Sequence, residues 1–171
     1  MGRRFGFAML AVAMFTGPAA AQRPGTMEAG LFARVTMFDP SLGSPQSALG
    51  FGGRIAAYAR AQWFVEADLS TSSANGLDYT PFHIRVNYLE EFKPGGLMIA
   101  GLGYARNHYS GTLDGNDNGL SGVFGLRQAV RGSFVGRLDF ALDYIPSPVN
   151  RAGNNWQGSF QVGGSYRFGR P

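Results

Sequence analysis

The stretch Trp156–Phe168, W-Q-G-S-F-Q-V-G-G-S-Y-R-F, constrains the fold more than any other part of the chain. Trp156, Gly158, Phe160, Val162, Gly164, Tyr166 and Phe168 form an aromatic, apolar and glycine set. The residues between them, Gln157, Ser159, Gln161, Gly163, Ser165 and Arg167, are polar or small. A period of two is the signature of a β-strand with two chemically different faces. The run is long for a strand in a soluble domain, where about 5–6 residues is usual, and is close to what a tilted strand needs to cross a bilayer.

The same alternation recurs seven more times. The predicted strands are Met27–Phe38, Ala48–Tyr58, Trp63–Thr71, Tyr79–Glu90, Leu97–Tyr109, Gly119–Ala129 and Phe134–Ile145, with Trp156–Phe168 as the eighth. Turn chemistry separates them: Asp39-Pro40 with Gly43 and Pro45, a polar segment Ser72–Asp78, Lys93-Pro94-Gly95-Gly96, a Gly/Asp/Asn-rich segment Gly111–Asn118, and Pro146–Asn155. Long and short connections alternate, as in an up-and-down meander whose two ends differ. The expected fold is therefore all-β, an eight-stranded antiparallel up-and-down barrel.

Composition bears on where such a barrel sits. Charged residues are 15% of the chain, against about a quarter in ordinary soluble proteins. No apolar run is long enough for a transmembrane helix. The net charge is only +4, with Arg3 and Arg4 contributing two of those charges, which argues against a nucleic-acid partner. Residues 1–21 read as a secretory signal peptide: Arg3-Arg4, the apolar run Phe5–Phe15, then Ala19-Ala20-Ala21 before Gln22. Residues 22–171 form the barrel domain. The chain has no cysteine, so no disulfide framework supports an exported fold.

Period two alone does not say which face is inside. A soluble ligand-binding barrel turns its apolar face inward, and a membrane barrel turns it to lipid. The aromatic residues Tyr58, Trp63, Tyr88, Tyr104, Tyr144, Trp156 and Phe168 fall near strand ends, as interfacial girdles require. The polar set holds Arg34, Arg54, Arg85, Arg127, Arg137 and Arg167 together with Glu28, Glu66, Asp68, Asp139 and Asp143, and the predicted strands contain no lysine. A solvated outer face favours lysine. A nearly balanced set of arginines and carboxylates instead suits a narrow lumen in which the charges pair and close the channel. The expected fold is thus a transmembrane β-barrel with a plugged polar lumen.

Strand number, loop pattern and the closing G-G-S-Y-R-F of Gly163–Phe168 resemble the small eight-stranded outer-membrane β-barrels, the group that includes the transmembrane domain of outer membrane protein A and outer membrane protein X. The resemblance covers Met27–Phe168. It implies residence in the bacterial outer membrane, contact with outer-membrane lipid and lipopolysaccharide, and assembly by the barrel-assembly machinery. It also implies that Tyr166 and Phe168 in the last strand serve as the assembly signal, although Gly169-Arg170-Pro171 follow where the family's aromatic residue is terminal. The implied role is structural, or surface interaction through the outer loops.

Chemistry is sparse. His83 and His108 lie on different strands with no ligand-spaced neighbours, and Gly101-Leu102-Gly103 completes no phosphate-binding motif, so no metal and no cofactor is expected. Asn107-His108-Tyr109-Ser110 resembles the H-x-S of outer-membrane lipid A 3-O-deacylases. That resemblance implies a hydrolytic pair, His108 and Ser110, facing lipid. An acid to orient the histidine would fall near Ser121, where there is none, and Asp114 and Asp117 lie in the expected loop. The sequence is read as a non-enzyme, with a deacylase-like hydrolase and a small pore as the alternatives.

Overall fold

The computed structural model describes residues 25–38, 47–93, 96–148 and 155–169. The candidate signal peptide and most of the first and last loops lie outside the described residues. The chain forms eight strands: β1 (Met27–Met37), β2 (Ser47–Tyr58), β3 (Trp63–Ala74), β4 (Leu77–Lys93), β5 (Gly96–Gly111), β6 (Gly115–Arg131), β7 (Phe134–Ile145) and β8 (Asn155–Phe168). Each pairs antiparallel with its sequence neighbour, and β1 pairs with β8, so the sheet closes on itself. We call the end bearing the β1–β2, β3–β4, β5–β6 and β7–β8 connections the loop end, and the other the turn end.

Strands β3 to β6 outrun their expected limits at the loop end. The polar segment Ser72–Asp78, expected as a loop, is a tight hairpin in which only Asn75 and Gly76 leave the strands, with φ of 52° and 78°. Positive φ at both central residues is the two-residue turn that an Asn-Gly pair favours, because its twist matches that of the flanking strands. The expected loop Gly111–Asn118 likewise shrinks to residues 112–114, and β6 begins at Gly115.

Tracing paired residues around the wall goes from Met27 through Ala57, Val65, Val86, Leu102, Gly122, Leu142 and Gly158 to Met37. The circuit thus closes ten residues further along β1, nearer the loop end. Such a stagger requires the strands to tilt by roughly 40° to the barrel axis. Each row of paired residues consequently climbs toward the loop end as it passes from β1 to β8.

The apolar face is outside. Leu31 and Leu102 are each 75% exposed, and Leu49, Phe51, Ile55, Leu69, Leu120, Phe160 and Val162 join them in the wall. A continuous apolar surface of this extent has no place in water. In lipid it is the favourable arrangement, and closure leaves no unpaired sheet edge among the central rows. Aromatic residues bound the band. Trp63, Tyr88, Phe134, Tyr166 and Phe168 stand at the turn end, with Trp63 and Tyr88 rings 5.0 Å apart and Phe134 and Tyr166 rings 5.1 Å apart. Tyr104, Tyr144 and Trp156 stand toward the loop end, the last two 4.6 Å apart. Tyr58, expected in the girdle, is instead buried inside the barrel at 3% exposure, because its place on β2 shares the inward parity of Arg54 and Ala56.

This orientation gives a direct expectation. Leu102→Arg, on the most exposed part of the apolar band, should destabilise the barrel by about 2–4 kcal/mol in bilayer refolding. Leu102→Phe should change stability by less than about half a kcal/mol. Equal and small effects would mean that this face does not meet lipid.

Candidate functional site

Two groups of residues with chemical potential emerge from this frame: the filled lumen and the polar rim outside β4–β6.

The lumen begins at the turn end with an apolar cap of Ala56, Tyr58, Phe64, Leu89 and Ile99. Tyr58 stacks on Phe64 at 4.9 Å between ring centroids. Glu28 and Arg127 meet just above this cap, and the Tyr58 hydroxyl lies against both. In the next layer Arg137 binds Glu66 through both terminal nitrogens and reaches Asp139 with Nε at 2.8 Å. Arg54 donates to the same Asp139 carboxylate at 2.7 Å and lies over the Phe32 ring at 4.5 Å. Such forked, charge-assisted contacts are the strong form of hydrogen bond. All these ionic side chains are buried.

A further layer centres on His83, which is fully buried. Its Nδ1 lies 2.8 Å from Asp68 and its Nε2 3.0 Å from Asp143. The imidazole thus bridges carboxylates from β3 and β7. Arg85 donates to Asp68 at 2.5 Å and to Ser121 at 2.9 Å, Ser121 donates to Asp143 at 2.6 Å, and Arg34 approaches Asp143 at 3.9 Å. Above it Tyr79, Asn107 and Tyr109 converge on Gln157. A second apolar cap, Phe38, Ala48, Leu77, Tyr79 and Tyr109, closes the loop end.

Ten of the eleven charged residues selected from the sequence stand in this lumen: Glu28, Arg34, Arg54, Glu66, Asp68, Arg85, Arg127, Arg137, Asp139 and Asp143. Arg167 does not join them. It sits half-buried at the turn-end mouth, in register beside Glu28, but donates to the Gly132 carbonyl at 3.1 Å and makes no ion pair among the described residues. Two features escaped the sequence reading. One is the role of His83 as a bridge between two aspartates on other strands, which no spacing reveals. The other is the pair of aromatic caps, whose inward residues share the parity of the polar set.

Glycine makes room for the network where it is most crowded. A Cβ on Gly125 would lie 2.0 Å from the Asp139 carboxylate, and one on Gly103 would lie 2.0 Å from the Ile84 carbonyl oxygen. Both positions are inward and beside buried charges, so their lack of a side chain is a packing requirement.

On the outer surface His108 and Ser110 both project from β5, His108 exposed and Ser110 half-buried. The residue beside His108 is Asn116 of β6, whose Oδ1 lies 3.0 Å from Nδ1. No carboxylate takes that position. Asp117 points into the barrel, and Asp114 lies in the β5–β6 turn. Asp78 pairs with Ser110 in register and accepts a hydrogen bond from Ser73 at 2.5 Å. The assembly-signal candidates Tyr166 and Phe168 are both exposed on the outer wall, their rings 4.9 Å apart.

No family model and no curated protein matches the sequence. Solved structures do. Neisserial surface protein A (NspA) matches with a TM-score of 0.68 at 20% identity, covering 84% of this chain and 99% of its own. The N-terminal β-barrel domain of Pseudomonas aeruginosa OprF matches at 0.62 and 13% identity, covering 86% of this chain and 100% of its own. The outer membrane protein OprG of the same organism matches at 0.59 and 14% identity, covering 88% and 99%. The chain has the fold of the small eight-stranded outer-membrane β-barrels, with an apolar outer wall as that fold has in lipid.

Proposed function

We propose that the protein is a closed, non-conducting outer-membrane barrel whose role is structural or one of surface interaction through its loop-end hairpins. The observation that carries this reading is the filling of the lumen. Arg54, Glu66, Arg137 and Asp139 occupy its middle, and an apolar cap lies beyond the charges at each end. An ion entering would have to displace buried partners and pass apolar side chains, both costly in a low-dielectric space. The projecting β3–β4 and β5–β6 hairpins supply the surface, rich in Ser, Thr, Asn and Asp. Tyr166 and Phe168, on the outer wall of the last strand, are available to the assembly machinery before the barrel closes.

Planar-bilayer recording tests this directly. Wild-type protein should give no large, stable single-channel currents, and such currents would refute the closed barrel. Glu66→Gln leaves Arg137 with Asp139 as its remaining carboxylate. Breaking a buried pair by removing one partner typically costs about 3–5 kcal/mol. Urea unfolding in lipid vesicles should show a loss of that order, largely recovered in an Arg137→Met, Glu66→Leu double variant. A loss below about 0.5 kcal/mol, the range of surface substitutions, would mean that the network does not hold the lumen together.

A hydrolytic reading through His108 and Ser110 lacks its acid among the described residues, where Asn116 is the residue bonded to the imidazole. Asn116 can orient an imidazole but brings no charge to stabilise the imidazolium formed during acyl transfer. Purified wild-type protein should release no 3-hydroxy fatty acid from lipid A by mass spectrometry. Release that vanishes in Ser110→Ala would overturn the non-enzymatic reading.

A further inference from the structure

The outward faces of β5 and β6 change character abruptly toward the loop end. Tyr104 and Leu120 form the last apolar pair, followed by Arg106 beside Asn118 and then His108 beside Asn116. Each step is about 7 Å along the strand. Because rows climb from β5 to β8, Arg106 stands level with Tyr144 and His108 level with Trp156. Both basic side chains are therefore at the height of the loop-end aromatic girdle, where headgroups meet the apolar band.

Their surroundings are built rather than open. The Tyr104 hydroxyl donates to Asn118, and Asn116 holds Nδ1 of His108 at 3.0 Å. Phe82 and Thr80 flank Arg106 and His108 on β4. Among the described outward-facing strand residues of the loop-end half, Arg106 is the only permanent cation, and it is exposed with no carboxylate bound to it. The nearest carboxylate among the outward strand residues is Asp78, two rows beyond Arg106 and one beyond His108, and engaged by Ser73. Turnward on the same strands runs a groove of about 600 Å³ in the lipid-facing wall. The small residues Ala100 and Gly122 line it with Leu102, Phe124 and Leu142, and its turnward end reaches Trp63 and Tyr88.

We infer that Arg106 and His108 form a binding site for the phosphate of an outer-leaflet phosphorylated glycolipid, with an acyl chain of that lipid in the groove over Ala100 and Gly122. The inference rests on the outer-membrane orientation proposed above. Chemistry selects the ligand. A guanidinium presents a planar fork that matches phosphate oxygens, and at headgroup depth it reaches them without leaving its stem in water. As an imidazolium, His108 would donate Nδ1–H to Asn116 and Nε2–H to a second oxygen. An apolar trough below a cation fits a molecule with a phosphate above acyl chains, which free phosphate does not have.

The test uses the full mature chain, folded in maltoside micelles, which contain no phosphate. Binding of diphosphoryl lipid A, of its dephosphorylated form and of inorganic phosphate is followed by native mass spectrometry and titration calorimetry. Wild-type protein should retain the diphosphoryl lipid and bind both other probes far more weakly. Arg106→Gln should weaken retention about tenfold or more, since a hydrogen bond to a charged group is lost. Arg106→Lys should fall between, and Asp78→Asn should strengthen retention by removing an outward negative charge one row beyond His108. Circular dichroism checks that each variant is folded, and these surface positions leave the lumen untouched. Equal retention of the dephosphorylated lipid, or unchanged retention by folded Arg106→Gln, would overturn the site. Inorganic phosphate binding as tightly as the lipid would refute the lipid as its ligand. Micellar binding is independent of conductance, so a conducting barrel would leave this result standing.

Discussion

A backbone amide or carbonyl without a partner in lipid costs several kcal/mol, and that constraint organises the whole molecule. It forces the sheet to close, and closure of eight strands with a ten-residue stagger fixes the strand tilt. It also leaves an interior just wide enough for side chains. Everything on the inward face must then be packed and paired. Arginine is the suitable cation, since its fork can hold two carboxylates at once, as Arg137 does with Glu66 and Asp139. The glycines at 103 and 125 follow from the same crowding.

The outer face answers to a different solvent. Leu31, Leu102 and Val162 are exposed because lipid, not water, covers them. Where the lipid tails end, the pattern ends too. Aromatic residues mark the boundary at both ends, and beyond it the wall carries Arg106, His108 and asparagines. The loop-end hairpins extend this polar wall, so the surface offered to other molecules is regular sheet as well as loop.

Much of this was legible in the sequence, and the limits have physical reasons. Strand number and the two faces follow from period two, which is local and which Leu97 and Ile99 blur at the start of β5. Selecting the inward charges needed only parity, whereas the Arg167 bond to the Gly132 carbonyl, made beside Glu28, is a tertiary detail that parity does not encode. Partners across the lumen were not legible, because they depend on the stagger of strands far apart in sequence. His83 between Asp68 and Asp143 is the clearest case. Tyr58, Phe64, Tyr79 and Tyr109 mark the other limit, since an aromatic residue near a strand end suits a girdle or a cap equally. The Asn75-Gly76 hairpin was written in the sequence as an Asn-Gly pair between alternating residues, and reading Ser72–Asp78 as a polar loop overlooked it.

The central claim is that one face of every strand meets lipid while the other is sealed from both lipid and water. The absence of native cysteine makes single-cysteine spin labels along β8, from Ser159 to Ser165, unambiguous reporters in a lipid bilayer. Oxygen dissolved in the bilayer should relax labels at Phe160, Val162 and Gly164 strongly and those at Ser159, Gln161 and Ser165 weakly. A water-soluble nickel chelate should reach neither set. Strong relaxation of the inward labels by the nickel chelate would reveal a water-filled lumen, and oxygen accessibility without a period of two would contradict the lipid-facing wall itself.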